Sequence, residues 1–305
     1  MINLKKILFP TDFSDCAGQA FSYAIDLAKR FQAELHILHA IVNHTYAGYF
    51  SPDQEKLYKG LRKNAEHLME DLVEKYPLEN IKVEKLYFPA LSASSMILDY
   101  ADQYQMNLIV MGTHGRQGLS HLMLGSVAEN VIRTANCPVL TIGKVTEQTK
   151  DNSDAIIKNI LVPIDFSEHS KKSLAYAMEL ATLYHAKLQL LHIIDTPIYP
   201  AFYVVDQLAT TSIAVNIKTR VLDNLSTLLK GLGESKIVSE TYAIEGRAAM
   251  DIARFATEHQ SDLIVIATHG LTGVERFLLG SVTEKVVRIA KSPVFTVKPY
   301  GRQMI

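Results

Sequence analysis

Short apolar runs alternate with amphipathic segments along this chain. Ile7 to Pro10 is an unbroken apolar run ending at a proline, Leu108 to Met111 is another, and Val139 to Ile142, interrupted only by Thr141, reads as a fifth strand. The two unbroken runs are those of strands buried on both faces, as in a parallel sheet. After the first run, Ala17, Ala20, Phe21, Ala24, Leu27 and Ala28 recur at three- and four-residue spacing. That spacing places them on one helix face, with Ser14 as N-cap. Glu34 to His39 reads as a second strand. The segment from about 53 to 76 reads as a helix through Leu57, Leu61, Ala65, Leu68 and Leu72. Ile81 to Tyr87 is a third strand and Ser94 to Gln105 a third helix, and a last helix stops near Asn136, ahead of Pro138. Alternating strands and helices predict an α/β fold: a five-stranded, mainly parallel sheet with right-handed crossovers and helices on both faces.

The pattern then repeats. LKKILFPTDFS at 4–14 returns as IKNILVPIDFS at 157–167, which sets Asp165 153 positions after Asp12. THG at 113–115 returns at 268–270, and LGSVAENVIR at 124–133 as LGSVTEKVVR at 279–288, now 155 positions on. The chain therefore divides into two similar domains, 1–145 and 156–305, the second slightly longer in its middle. A linker at 146–155 joins them, since Thr146 to Asp154, TEQTKDNSD, is polar and without apolar periodicity. The second set of strands is expected near 159–163, 187–193, 236–242, 262–266 and 294–297.

Composition narrows the partners. A chain of 305 residues, 48% hydrophobic, can bury a large core. A net charge of −1 with both signs interspersed predicts no basic face for nucleic acid or anionic lipid. The N-terminal MINLKKILFPTDF has too short an apolar run for a membrane span or a signal peptide, so a cytoplasmic location is expected. Cys16 and Cys137 are far apart and carry no metal-ligand spacing, which suits inert thiols in a reducing compartment.

The chemistry concentrates between Asn107 and Ile142, where a buried strand runs into a glycine loop and then a helix start. Gly112, Gly115 and Gly118 permit positive φ and close approach of a ligand to bare backbone. Gly125-Ser126 opens the helix, and Ser126 with Glu129 reads as a capping box that fixes the N-terminus beside the loop. A loop and helix start of this kind suit an anion, above all a phosphate. If the first and fourth strands are neighbours, Asp12 faces the same crevice. Each residue also has a plainer reading. Glycines end strands and cap helices, Asp12 and Asp165 suit turns, and His114 and His269 suit packing or hydrogen bonding. Arg116 suits a solvated surface. His39 and His192, at strand ends, read as satisfied core histidines.

The spacing Gly112, two residues, Gly115, nine residues, Gly125-Ser126 resembles the nucleotide signature of the universal stress protein family, and both halves resemble that family end to end in its tandem form. The resemblance implies an adenine nucleotide alpha hydrolase-like fold that binds ATP, accompanied by Mg²⁺ for which no ligand set is visible. It assigns Pro10 and Asp12 to the ribose and adenine side and the backbone at Ala40 to the base. Gly112, Thr113, His114, Gly115, Arg116 and Gly118, with Gly125, Ser126 and Val127, are assigned to the phosphates. The second half would use Pro163, Asp165, Ile193, Thr268, His269, Gly270, Gly273, Gly280, Ser281 and Val282. It departs from the signature where Ala267 replaces the first glycine and Leu271 replaces Arg116, so its site is expected to be weaker.

The function implied is a cytoplasmic stress-response regulator that binds ATP without an obligatory catalytic step, and no catalytic residue is assigned. A slow ATPase or autophosphorylating enzyme in the same pocket is the alternative from another class, although the chain lacks a P-loop GxxxxGK[ST]. A scaffold that binds no nucleotide is a third reading. The resemblance also implies that the fifth strands, Pro138 to Ile142 and Pro293 to Val297, pair between domains, giving an intramolecular pair with a homodimer as a further level. The aromatic stretch Tyr199 to Val205, matched by Tyr46, Tyr49 and Phe50, reads as a loop over its own domain or as a lid for a second ligand.

Overall fold

The computed structural model describes residues 2–42, 52–115, 124–143, 157–195, 207–231, 237–269, 279–298 and 300–305. The predicted elements form in order. The first half runs β1 (Lys6–Pro10), α1 (Asp15–Phe31), β2 (Glu34–Val42), α2 (Pro52–Glu74), β3 (Val83–Ala90), α3 (Ala93–Gln103), β4 (Leu108–Gly112), α4 (Ser126–Thr134) and β5 (Val139–Ile142). The second half repeats it as β6 (Asn159–Pro163), α5 (Glu168–Tyr184), β7 (Lys187–Asp195), α6 (Gln207–Lys230), β8 (Ser239–Gly246), α7 (Ala248–Glu258), β9 (Leu263–Ala267), α8 (Ser281–Ile289) and β10 (Val294–Val297).

All ten strands join one sheet in the order β3-β2-β1-β4-β5-β10-β9-β6-β7-β8. Each half is a parallel five-stranded sheet, and the halves meet where β5 and β10 run antiparallel, Phe295 opposite Leu140. Thr141 and Thr296 are buried at this seam. Each hydroxyl donates across it, to Val294 O at 3.2 Å and Val139 O at 3.0 Å, so no polar group is left stranded. β2 and β3 run further than the apolar pattern indicates because their backbone ladder continues to Val42 and Ala90. Pro89, which has no N–H to give, is tolerated there because β3 is an outer edge.

Helices cover both faces. One face buries Ile7 and Phe9 of β1 against Phe21 and Ala24 of α1, with the Phe9 and Phe21 rings 4.8 Å apart. The other buries Leu8, Ile109 and Val139 under α3 and α4. Both cores continue across the seam, one through Phe295 and the other through Val294.

The C-terminal residues add a clasp that the sequence pattern did not reveal. Arg302 donates to Ala101 O at 2.6 Å, Met106 O at 2.8 Å and Asp102 Oδ1 at 2.6 Å. Gly301 turns the chain at φ 97°, where a side chain would run into Asn136 O. The Lys298 ammonium donates to Ile132 O and Arg133 O at the end of α4. Those carbonyls favour the charge, but burial outweighs them and pushes the lysine down to about 8.

Candidate functional site

β1 pairs directly with β4, Ile7 opposite Leu108 and Leu8 opposite Ile109. The chain leaves β1 toward β2 and β3 on one side and arrives at β4 and β5 on the other. The carboxyl ends of β1 and β4 therefore flank the point where strand order reverses, the place where α/β sheets bind ligands.

The turn after β1 is built by its own side chains. Phe13 N donates to Thr11 Oγ1 at 3.0 Å, and Ser14 N and Oγ donate to Asp12 Oδ1 at 3.1 and 2.7 Å. Ser14 in turn accepts from Ala17 N and caps α1. This Asx turn forces Phe13 to φ 62°, a strained value for an aromatic residue, and its ring is held 4.6 Å from that of His39. The His39 ring shares a hydrogen bond with Thr11 O at 2.8 Å, as expected of a satisfied histidine. The second half copies the device: Ser167 donates to Asp165, Phe166 has φ 64°, and His192 bonds Ile164 O at 2.7 Å. Nothing in local propensity marks a phenylalanine for positive φ. The recurring Asp-Phe-Ser is its only sequence signal.

The glycines do different work from one another. A Cβ at Gly115 would stand 2.6 Å from Asp12 Oδ2, so the loop after β4 lies directly against the carboxylate. A Cβ at Gly125 would stand 2.9 Å from Thr113 O, the same carbonyl that accepts Gly125 N at 2.8 Å. Neither glycine has positive φ, so close approach, rather than the permitted backbone conformation, selects them.

Gly112 has a packing reason of its own. A Cβ there would meet Cys16 Sγ at 2.9 Å and Ala17 N at 3.2 Å, so this glycine makes room for the start of α1. Ala267, its counterpart in the second half, is buried. Gly112→Ala is expected to cost about 1–3 kcal/mol, the scale of an overpacked core. In urea unfolding, Cys16→Ala should recover part of that loss, since the contacts with the backbone of Cys16 and Ala17 remain.

The capping box is corrected. Gly125 is the N-cap of α4 with no side-chain cap, Ser126 is the first helical residue, and Glu129 is engaged by Arg133 at 2.6 Å. A helix start without a side-chain cap leaves its first N–H groups to solvent or a ligand. Gly280 caps α8 in the same way.

Thr113 is buried between these parts. Its N donates to Ile142 O at 2.9 Å and its hydroxyl meets His114 Nδ1 at 2.8 Å, while His114 Nε2 is buried without a hydrogen bond. Thr268 and His269 repeat the hydroxyl-to-ring contact at 3.0 Å. Pro10 and Pro163 are buried strand ends, Ala40 and Ile193 are half-buried, and Ser126, Ser281 and Val282 are exposed, with Val127 half-buried. Arg116, Gly118, Gly270, Leu271 and Gly273 lie outside the described residues, as do Tyr46, Tyr49, Phe50 and the stretch 199–205.

A model of the family described as the universal stress protein family matches residues 3–143 and again 157–298. The chain belongs to the universal stress protein family. A universal stress protein of Methanocaldococcus jannaschii is 36% identical over 141 residues, which are 46% of this chain and 82% of that one. The universal stress protein YxiE of Bacillus subtilis is 32% identical over 145 residues, 45% of this chain and 97% of that protein. Each aligns with about half of the chain, as a tandem arrangement requires. A crystal structure of a universal stress protein from Archaeoglobus fulgidus superposes with a TM-score of 0.66 at 21% identity. It covers 96% of this chain and 98% of its own, which shows the fold across both halves.

Proposed function

We propose that this universal stress protein binds an adenine nucleotide, ATP, in its first half and acts through binding rather than through an obligatory chemical step. The contact between Asp12 and Gly115 across β1 and β4 carries the reading, because it brings a carboxylate and a bare loop together at the switch point. The cradle fits such a ligand. Asp12 would accept from ribose hydroxyls, and the uncapped start of α4 at Gly125, Ser126 and Val127 would donate main-chain N–H groups to phosphates.

The base would lie over the end of β2. Leu38 O accepts Thr11 N at 2.9 Å, so strand alternation turns the N–H and C=O of Ala40 to the same side, beyond the last residue of β1. Those groups can read an adenine edge. Arg116 and Mg²⁺ would balance the phosphate charge.

The second half retains the Asp165 turn and the Gly280 start, and a weaker site would use Pro163, Asp165, Ile193, Thr268, His269, Gly270, Gly273, Gly280, Ser281 and Val282. Domains 1–145 and 156–305 would then act as an intramolecular pair through β5 and β10, with a homodimer of chains as a further level. No described helix is long and apolar enough to cross a membrane, which suits a cytoplasmic regulator.

The test is to release and identify small molecules from denatured, freshly purified protein, then to titrate ATP into the nucleotide-free chain while following hydrolysis. Saturable ATP binding without turnover supports the proposal. Turnover would transfer the site to a slow ATPase, and absence of any binding would leave a scaffold.

A further inference from the structure

A second cluster lies at the opposite end of the first sheet from the nucleotide site. Glu34 is the first residue of β2, His36 follows on the same face, and Glu84 of β3 sits directly opposite His36 in the parallel register. One ligand atom from each of the three lies within 4.8 Å of the others. The His36 side chain is only 4% exposed, and its buried Nε2 faces Glu34 Oε1 across 3.3 Å, a long contact that falls short of a well-aligned hydrogen bond. A buried imidazole nitrogen with so poor a partner carries part of the cost of an unmade hydrogen bond, which a bound cation would remove.

We propose that Glu34, His36 and Glu84 form a binding site for a borderline divalent cation of the Zn²⁺ type. One imidazole and two carboxylates are an open three-ligand set, with the remaining position left to water. The other ring nitrogen has the supporting contact such a site needs. His36 Nδ1 shares a 2.7 Å hydrogen bond with the buried Tyr100 hydroxyl, and Tyr100 is itself stacked on Tyr104 at 4.3 Å. The tautomer that donates Nδ1–H to the phenol leaves the Nε2 lone pair facing the carboxylates.

A cation already marks the position. The Lys82 ammonium lies 2.7 Å from Glu34 Oε1 and 3.9 Å from Glu84 Oε1, on a side chain that is 70% exposed and can swing away. Ligand atoms around zinc stand about 3.3–3.5 Å apart for bonds of about 2.0–2.1 Å. The half-exposed Glu84 can close the remaining distance by a change of rotamer.

The second half shows what the fold requires without a metal. Lys187 stands at the position of Glu34 and Gln189 at that of His36, while Glu240 matches Glu84. There the lysine pairs with Glu240, and Gln189 is satisfied by Ser261 at 2.6 Å and His259 O at 3.2 Å. The same strands thus close with a neutral, fully bonded set, so Glu-His-Glu is not demanded by folding. An ion in the first half would tie the edge strand β3 to β2 and raise thermal stability.

The full chain, stripped by chelator and free of nucleotide, should bind one Zn²⁺ in calorimetry and melt at higher temperature with Zn²⁺ than without. Mg²⁺ should give neither effect. His36→Gln, which copies the second half, should weaken Zn²⁺ by about 10–100-fold or more, the scale of a disturbed metal shell. Lys82→Ala should tighten it by up to about fivefold, the worth of an exposed ion pair. Glu84→Gln, at a half-exposed side chain, tests the site should His36→Gln fail to fold. Absence of saturable Zn²⁺ binding, or wild-type affinity in both His36→Gln and Glu84→Gln, would overturn the proposal.

Discussion

Gly115→Val is expected to reduce ATP affinity of the first half by at least about 100-fold, or about 2.8 kcal/mol. A Cβ at this position would lie 2.6 Å from Asp12 Oδ2, closer than real side-chain atoms come, and valine adds two methyl groups beyond it. Either the loop lifts or Asp12 rotates. Rotation would give up the hydrogen bonds from Ser14 that hold the turn, and both movements separate the carboxylate from the phosphate side of the site. Gly115 is exposed, so the fold should survive, with a melting temperature close to that of the parent. Titration calorimetry should show the first-half site lost and only weaker binding remaining. Unchanged affinity in a folded Gly115→Val chain would remove ATP from the crevice between β1 and β4.

Phe295→Ala should give the larger loss of stability, about 3–5 kcal/mol as for other buried aromatic truncations. The ring is 2% exposed, lies opposite Leu140 across the β5–β10 seam, and stands 5.9 Å from Tyr176. It belongs to a core built from both halves, so its removal should weaken the unfolding transition of the whole chain. Such a loss is a large part of the 5–15 kcal/mol that keeps a typical domain folded. Urea unfolding followed by circular dichroism measures it. Met250→Ala, at a 60% exposed position, is the control and should change stability by no more than about 0.5 kcal/mol. Equal effects from the two variants would mean that the seam contributes little.

Much of the candidate site was legible because it is written in short range. Asp12 and Ser14 are two residues apart, and the turn they build follows from side chains bonding their own backbone. Gly115 and Gly125 could be singled out by spacing, but their reason could not, since the atoms that exclude a side chain there belong to Asp12 and Thr113. Gly112 shows the limit most clearly. It shares a signature with the other two, yet the atom it accommodates is Cys16 Sγ, almost a hundred positions away in the chain. The capping box failed for a related reason. Ser126 and Glu129 have the right spacing, but Gly125, pinned to Thr113 O, already occupies the cap position.

By itself the sequence determined the alternation of strands and helices, the duplication and the family signature, because periodicity and spacing act over a few residues and are read locally. Only the tertiary structure decided that β1 neighbours β4, that β5 meets β10, and that the C-terminal residues clasp the first half. It also decided that Glu34, His36 and Glu84 share one small volume. These are outcomes of strand order and register. They depend on which buried surfaces fit across large sequence separations, and no local propensity carries that information.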